Sequence, residues 1–183
     1  MSSQPEPVPT IPARLTPAEL AAATGRPIEE VKAALEARSE ASGPDEMIGP
    51  ELSTAVAMAL GVKVNIEPRD VALEALYELE TRGAHELEGL TGRAARLVAG
   101  VLENREDLDH EIESASDNWS VARMPVIDRS ILRLGLFELR HDKNVPTGVI
   151  VSEAVRLART YSTERSGSFV NGVLASLARS TRH

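Results

Sequence analysis

The segment 125–143 limits the possible folds more than any other stretch of this chain. Its apolar residues are spaced three and four apart and cover most of the circumference of a helix: Ile127, Ile131, Leu132, Leu134, Leu136, Phe137 and Leu139. A helix that is apolar on nearly all sides is stable in water only when other helices surround it. The sequence therefore predicts a helical bundle with this segment at its centre.

Further amphipathic helices are predicted on both sides of the central segment. Apolar residues recur at helical spacing in the ranges 68–83, 90–105, 106–120, 145–162 and 165–179. The apolar stretches 61–68 and 147–152 are too short and isolated to predict strands, and we interpret both as flanks of helices. The predicted fold class is all-α.

The first 62 residues carry a different pattern. Residues 1–13 contain four prolines and few apolar groups, which predicts a disordered leader. Residues 14–62 predict a small module of three short helices, the first of which begins with a capping box of Thr16 and Glu19. On its helix-turn-helix and the segment "ELSTAVAMALGV", this module resembles the small helical N-terminal domain of bacterial translation initiation factor two.

Charge and composition narrow the possible functions. The chain has no cysteine, no apolar run near the roughly 20 residues of a membrane helix and no secretory signal, which predicts a cytoplasmic protein without membrane contact. Its net charge is −8, but residues 66–117 carry 5 basic and 14 acidic residues, whereas residues 118–183 carry 10 basic and 5 acidic residues. We therefore expect any anionic partner to bind the C-terminal third.

Sequence signatures of catalysis are absent. The densest carboxylate cluster, 103–113, lacks the glycine of a calcium loop and the histidine spacing of a helical zinc site. No phosphate-binding loop, nucleophile elbow or dinucleotide fingerprint occurs. The sequence thus predicts a protein that is not an enzyme and uses no cofactor, metal or small-molecule substrate.

Four segments carry a family resemblance: "ALEALYELE", "LVAGVLENREDLDHEI", "DRSILRLGLFELRHDKNVPTGVIVSEAVRLARTY" and "SFVNGVL". In this order they resemble the NusB family of bacterial transcription antitermination factors over residues 66–183, and the interhelical "NVPTGVIVSEAV" is matched along with the helices. The resemblance implies an all-helical domain of two subdomains. It also implies binding to NusE, a small-subunit ribosomal protein, and to boxA-type ribosomal RNA leader on transcribing RNA polymerase.

Candidate RNA contacts follow from the resemblance and from the charge pattern. The helix start near Arg165 and Ser168 offers backbone amides and a cation to a phosphate. Family members carry several arginines before the first helix of the domain, whereas the stretch 62–70 of this chain retains only Lys63 and Arg69. The candidate RNA-binding residues are Lys63, Arg69, Arg123, Arg129, Arg133, Arg165 and Ser168.

Two residues match family positions that help form the surface for NusE. These are Tyr77 and Asp128. Each also fits a structural role, Tyr77 as a half-buried core residue and Asp128 as a carboxylate at the positive end of a helix dipole. The sequence leaves both interpretations open.

Structural roles are predicted in the last two helices. Phe169 belongs to an apolar stripe, and Gly172 is expected to let another helix approach closely. Asn171 is expected to be a buried amide that forms hydrogen bonds to a neighbouring loop. Glu153 is expected to form an ion pair with Arg156.

The alternative function is that of a protein-only adaptor, which keeps the ribosomal-protein partner but has lost RNA recognition. The two functions differ in whether Arg123, Arg129, Arg133, Arg165 and Lys143 converge with Arg69 on one face. The sequence alone does not decide this question.

Overall fold

The structure is a computed structural model that describes residues 8–38, 46–83, 90–117 and 119–181. The chain divides into two compact units, Met1–Asp70 and Val71–His183. Within the described ranges, every helix is too short or too polar to cross a membrane.

Three short helices build the N-terminal unit: α1 (Pro17–Thr24), α2 (Ile28–Glu36) and α3 (Pro50–Ala59). The Oγ1 of Thr16 accepts a hydrogen bond from the amide of Glu19 at 3.2 Å, and the Glu19 carboxylate accepts one from the amide of Thr16 at 2.7 Å. This confirms the capping box predicted at the start of α1. The helices enclose a small apolar core of Ile11, Leu15, Leu20, Ala21, Val31, Leu35, Ile48, Val56 and Ala57.

Two short strands that the sequence did not predict also belong to this unit. Strand β1 (Thr10–Ile11) pairs in parallel with β2 (Asn65–Ile66), and Ile11 is completely buried. The amide of Ala13 donates a hydrogen bond to the Asp70 carboxylate at 3.2 Å. The predicted disordered leader is therefore wrong for residues 10–13, as is the helix-flank interpretation of residues 65–66, while residues 1–7 lie outside the described ranges.

The rest of the described chain is helical, as predicted. The helices are α4 (Pro68–Arg82), α5 (Gly92–Glu103), α6 (Arg105–Ala115), α7 (Val126–His141), α8 (Thr147–Tyr161) and α9 (Ser166–Thr181), with a single 3-10 turn at Val121–Arg123. Helix α7 is buried from Ser130 to Leu139 and packs against α5, α6, α8 and α9. This confirms the predicted central position of α7.

Close approach between helices occurs at Gly100 and Gly135. A Cβ atom built on Gly135 of α7 would lie 2.7 Å from a methyl carbon of Leu174 on α9, and one built on Gly100 of α5 would overlap the ring of Phe137. Gly172, by contrast, is exposed, and a Cβ there would meet no atom within 4 Å. The prediction of a close helix contact at Gly172 is therefore wrong, because α9 contributes Leu174 and the glycine lies on α7.

The predicted role of Asn171 is also wrong. Asn171 is exposed on α9, so its amide does not need a protein partner and does not clamp a buried loop. The buried face of α9 consists of Val170, Val173, Leu174 and Leu177, with Phe169 partly buried at its edge. The predicted apolar stripe is thus confirmed.

Candidate nucleic-acid interface

The arginines of α7, Arg129, Arg133 and Arg140, face carboxylates of neighbouring helices. Arg133 binds Asp109 of α6 with two nitrogens, Nε to Oδ1 at 2.6 Å and Nη2 to Oδ2 at 2.9 Å. Its Nη1 lies 3.2 Å from Oε2 of Glu80 on α4. The side chain of Arg133 is only 6% exposed, so this guanidinium joins three helices inside the fold.

Arg129 shares the same carboxylate. Its Nη2 lies 2.7 Å from Oε1 of Glu80, and its Nη1 donates to the carbonyl oxygens of Ala122 and Met124 at 3.2 and 3.1 Å. A third guanidinium, that of Arg105, approaches Glu80 at 3.3 Å. Glu80 therefore has three cationic neighbours, and Arg129 is engaged on both terminal nitrogens.

The prediction of direct RNA contacts by the α7 arginines is not consistent with this geometry. A phosphate reaches a guanidinium only where the guanidinium is accessible, and Arg133 is buried while Arg129 has a side chain that is 15% exposed. We correct their role to that of structural ion pairs. Arg140, further along α7, pairs with Glu111 of α6 in the same manner.

Arg69 requires the same correction. It is 7% exposed, and its Nη1 lies 3.2 Å from Oε1 of Glu67 within the N-terminal unit. Lys63, in contrast, is exposed. Of the two cations retained in the stretch 62–70, only Lys63 presents its charge to solvent.

The remaining candidates are accessible. Arg123, Arg165 and Ser168 are exposed, and neither arginine forms an ion pair with a residue in the described ranges. Arg123 ends the 3-10 turn, whereas Arg165 and Ser168 flank the start of α9. Lys143, in the turn between α7 and α8, is exposed as well.

Asp128 fixes the start of α9 to the start of α7. Its carboxylate is 4% exposed and accepts hydrogen bonds from the hydroxyls of Ser162 and Ser166, the second at 2.9 Å. The hydroxyl of Ser166 also lies 2.8 Å from that of Thr163. Of the two interpretations that the sequence left open for Asp128, burial and these hydrogen bonds fit the structural one.

Tyr77 and Glu153 occupy surface positions on α4 and α8. Tyr77 is 39% exposed, so part of its ring is accessible to a partner. Glu153 forms the predicted ion pair with Arg156, with Oε2 3.0 Å from Nε. Both side chains of this pair are about a quarter exposed, so its contribution to stability is small.

Sequence reasoning missed one prominent feature of this surface, the side chain of Trp119. Trp119 is 55% exposed and lies against Phe169 of α9, with ring centroids 6.0 Å apart and an interplanar angle of 56°. The available signal was the position of the only tryptophan of the chain in a polar turn, "SDNWS", where it serves no helix face.

Comparison with known proteins decides the family. The sequence model of the NusB family matches residues 66–179, which is more than half of the chain. The chain belongs to the NusB family. The match begins at Ile66, the last residue of β2, and ends in α9, so the family region holds the α7 ion pairs, Trp119 and the start of α9.

Relatives within the NusB family support this assignment. The transcription antitermination protein NusB of Leifsonia xyli subsp. xyli is 48% identical over 86 residues, which cover 47% of this chain and 60% of that relative. The NusB protein of Pseudarthrobacter chlorophenolicus is 41% identical over 120 residues, which cover 60% of this chain and 88% of the relative. The first of these matches therefore spans less than two thirds of the relative.

Solved NusB structures share the fold. NusB of T. maritima aligns with a TM-score of 0.56 and 33% identity, covering 61% of this chain and 88% of that chain. A chain from the crystal structure of antitermination factors NusB and NusE in complex with dsRNA aligns with a TM-score of 0.54 and 29% identity, covering 62% and 94%. The helical bundle of this protein is thus the bundle of the NusB family.

Proposed function

We propose that this chain is a bacterial transcription antitermination factor that acts in the cytoplasm. It binds boxA-type ribosomal RNA leader together with a NusE-like ribosomal protein, as part of the antitermination complex on transcribing RNA polymerase. The observation that carries the proposal is membership of the NusB family, joined with the structural match to a chain crystallised with NusE and RNA. No step of this function requires a covalent reaction.

The accessible cations support an RNA site near the start of α9. The first turn of a helix presents backbone amides without helical acceptors, and the helix dipole favours an anion there. Arg165 and Ser168 lie at this helix start and are exposed. Arg123 adds a second exposed cation. We propose Arg123, Arg165 and Ser168 as RNA contacts of the C-terminal unit. Lys63, which is exposed in the N-terminal unit, is proposed separately as an RNA contact of that unit.

The ribosomal-protein contact is proposed at Tyr77, whose ring is accessible on α4. Asp128 contributes indirectly, because its hydrogen bonds to Ser162 and Ser166 hold the start of α9 in place. In this proposal Asp128 is a positioning residue, and the side chains it positions make the contacts.

The proposal is tested by fluorescence anisotropy of a labelled boxA-type RNA, titrated with the chain in the presence and absence of its organism's NusE-like protein. We expect salt-sensitive binding that tightens when the ribosomal protein is added, and weaker binding of a scrambled RNA of equal length. A complex with the ribosomal protein that leaves the RNA unbound would instead identify a protein-only adaptor. Failure to bind either partner would contradict the proposed function as a whole.

A further inference from the structure

Trp119 exposes a large part of its aromatic side chain to solvent. It is the only tryptophan of the chain, and more than half of its side-chain surface is exposed at 55%. Burial of an aromatic side chain of this size contributes substantially to stability, so an exposed one marks a surface where a partner can gain that energy. One side of the indole is already supported by Phe169, at a centroid distance of 6.0 Å.

Hydrogen bonds connect Trp119 and Val121 to the C-terminal end of α6. The amide of Trp119 donates to the carbonyl of Ser116 at 3.0 Å, and the Ser116 hydroxyl donates to the carbonyl of Trp119 at 3.2 Å. Two residues further along, the amide of Val121 donates to Oε1 of Glu113 at 2.8 Å.

Two accessible arginines lie close to this aromatic pair in sequence, as do the exposed carboxylates of Asp117 and Glu164. Arg123 follows Trp119 by four residues, and Arg165 precedes Phe169 by one helical turn, with the Phe169 amide 3.2 Å from the Arg165 carbonyl. Neither arginine has an ion pair with a described residue, whereas Arg129 and Arg133 do. An aromatic surface flanked by free cations fits a ligand that combines flat rings with negative charge.

We propose that the indole of Trp119, supported by Phe169, stacks on an unpaired base of the bound RNA, while Arg123 and Arg165 neutralise adjacent phosphates. Single-stranded RNA is commonly bound in this way, by aromatic stacking of splayed bases combined with a cationic track for the backbone. The inference rests on the proposed function and deepens it, because it assigns an additional residue to the RNA site. It further requires that the base at this position is not paired.

The sole tryptophan provides a direct spectroscopic readout. RNA titrated into the chain alone should quench the intrinsic fluorescence of Trp119, with the same midpoint that anisotropy of the labelled RNA reports. Trp119→Ala should weaken RNA binding about 5- to 150-fold, the range that corresponds to one lost stacking contact. Trp119→Phe and Trp119→Tyr should retain most of the affinity, because both keep an aromatic face.

Control measurements distinguish a lost stacking contact from a lost phosphate contact and from a folding defect. Val149→Ala truncates another exposed apolar side chain, on α8, and should leave RNA affinity unchanged. Arg165→Ala should lower the magnitude of the salt-dependence slope by about 0.7, whereas Trp119→Ala should leave that slope unchanged. Thermal melts monitored by circular dichroism would show that each variant is folded.

The outcomes are distinguishable from those of the proposed function. The stacking inference is wrong if RNA binds the wild type without quenching its fluorescence and binds Trp119→Ala with the same affinity. The proposed function would stand in that case. If Trp119→Ala instead loses affinity for the NusE-like protein in a calorimetric titration with RNA affinity intact, Trp119 is a protein contact and the inference is overturned. If the wild type binds no RNA even with the ribosomal protein, both the RNA site and the stacking inference fall.

Discussion

Each arginine that points from α7 toward α4 or α6 has a carboxylate within reach, and this pairing decides which cations are left for a ligand. The same rule applies on the side of α5, where Arg93 pairs with Glu138 and Arg96 lies 2.7 Å from Asp142. The hydrogen bond to Asp142 raises the pKa of Arg96 above its ordinary value. Whether an arginine on this surface can bind a ligand therefore depends on the carboxylates around it, and its charge alone does not tell.

Arg133 provides the clearest test at this scale. Arg133→Ala should destabilise the protein by about 1–3 kcal/mol, because Asp109 loses its guanidinium partner and Glu80 loses one of its three cations. The control is Arg165→Ala, which removes an exposed arginine and should change the free energy of unfolding by less than about 0.5 kcal/mol. Urea denaturation would measure the free energy of unfolding of both variants. Equal stability of the two variants would show that the ion pairs are not structural.

Asp128 tests the hydrogen-bonded clamp between α7 and α9. Asp128→Ala should cost about 1–3 kcal/mol, since the hydroxyls of Ser162 and Ser166 lose a charged acceptor and Ser166 is 2% exposed. The matched control is Asp107→Ala, which removes an exposed carboxylate from the first turn of α6 and isolates the helix-dipole effect. If thermal melts show the same decrease in melting temperature for both variants, the buried hydrogen bonds of Asp128 add no stability beyond the helix-dipole effect.

The sequence predicted where the helices lie, but it did not predict which residues of two neighbouring helices contact each other. The 3.6-residue period reveals which face of α9 is apolar, and Val170, Val173, Leu174 and Leu177 are buried as that pattern requires. The period carries no information about which of two packed helices supplies the glycine. The two-residue strands β1 and β2 are too short to show alternation, so their pairing is visible only in three dimensions.

Two alanine substitutions at helical glycines should change stability in opposite directions. Gly100→Ala should destabilise the protein by about 1–3 kcal/mol, because the new Cβ overlaps the buried ring of Phe137. Gly172→Ala should stabilise it by up to about 1 kcal/mol, since the site is open and alanine favours the helix. Chemical denaturation measures both changes. If Gly172→Ala were destabilised, another helix would have to lie close to Gly172, which would contradict the structure.

At the scale of the whole molecule, the uneven distribution of charge is largely an internal arrangement. Residues 66–117 are acidic and residues 118–183 are basic, but Glu80, Asp109 and Glu111 of the first range pair with arginines of α7 in the second. The basic balance of the C-terminal third therefore overstates the positive charge that an external anion meets. Part of it serves to hold α4, α6 and α7 together.

This explains how much of the site was predictable. The sequence indicated Arg129 and Arg133 as candidate cations, but Asp109 lies 24 residues and Glu80 lies 53 residues from Arg133 in sequence. No local pattern connects positions so distant, so the sequence indicated cations without their partners. The start of α9 was recognised because its amides, Arg165 and Ser168 are neighbours along the chain.

The central claim is that only the exposed cations bind RNA, and the salt dependence of RNA affinity tests it most directly. For single-stranded RNA, the slope of log K against log salt is about −0.7 per neutralised phosphate. Contacts by Lys63, Arg123 and Arg165 alone predict a slope of about −2 for the chain without its protein partner. A slope near −4 that became shallower by about 0.7 in Arg129→Ala would mean that a paired arginine also contacts phosphate, and it would contradict the structural role assigned to the ion pairs.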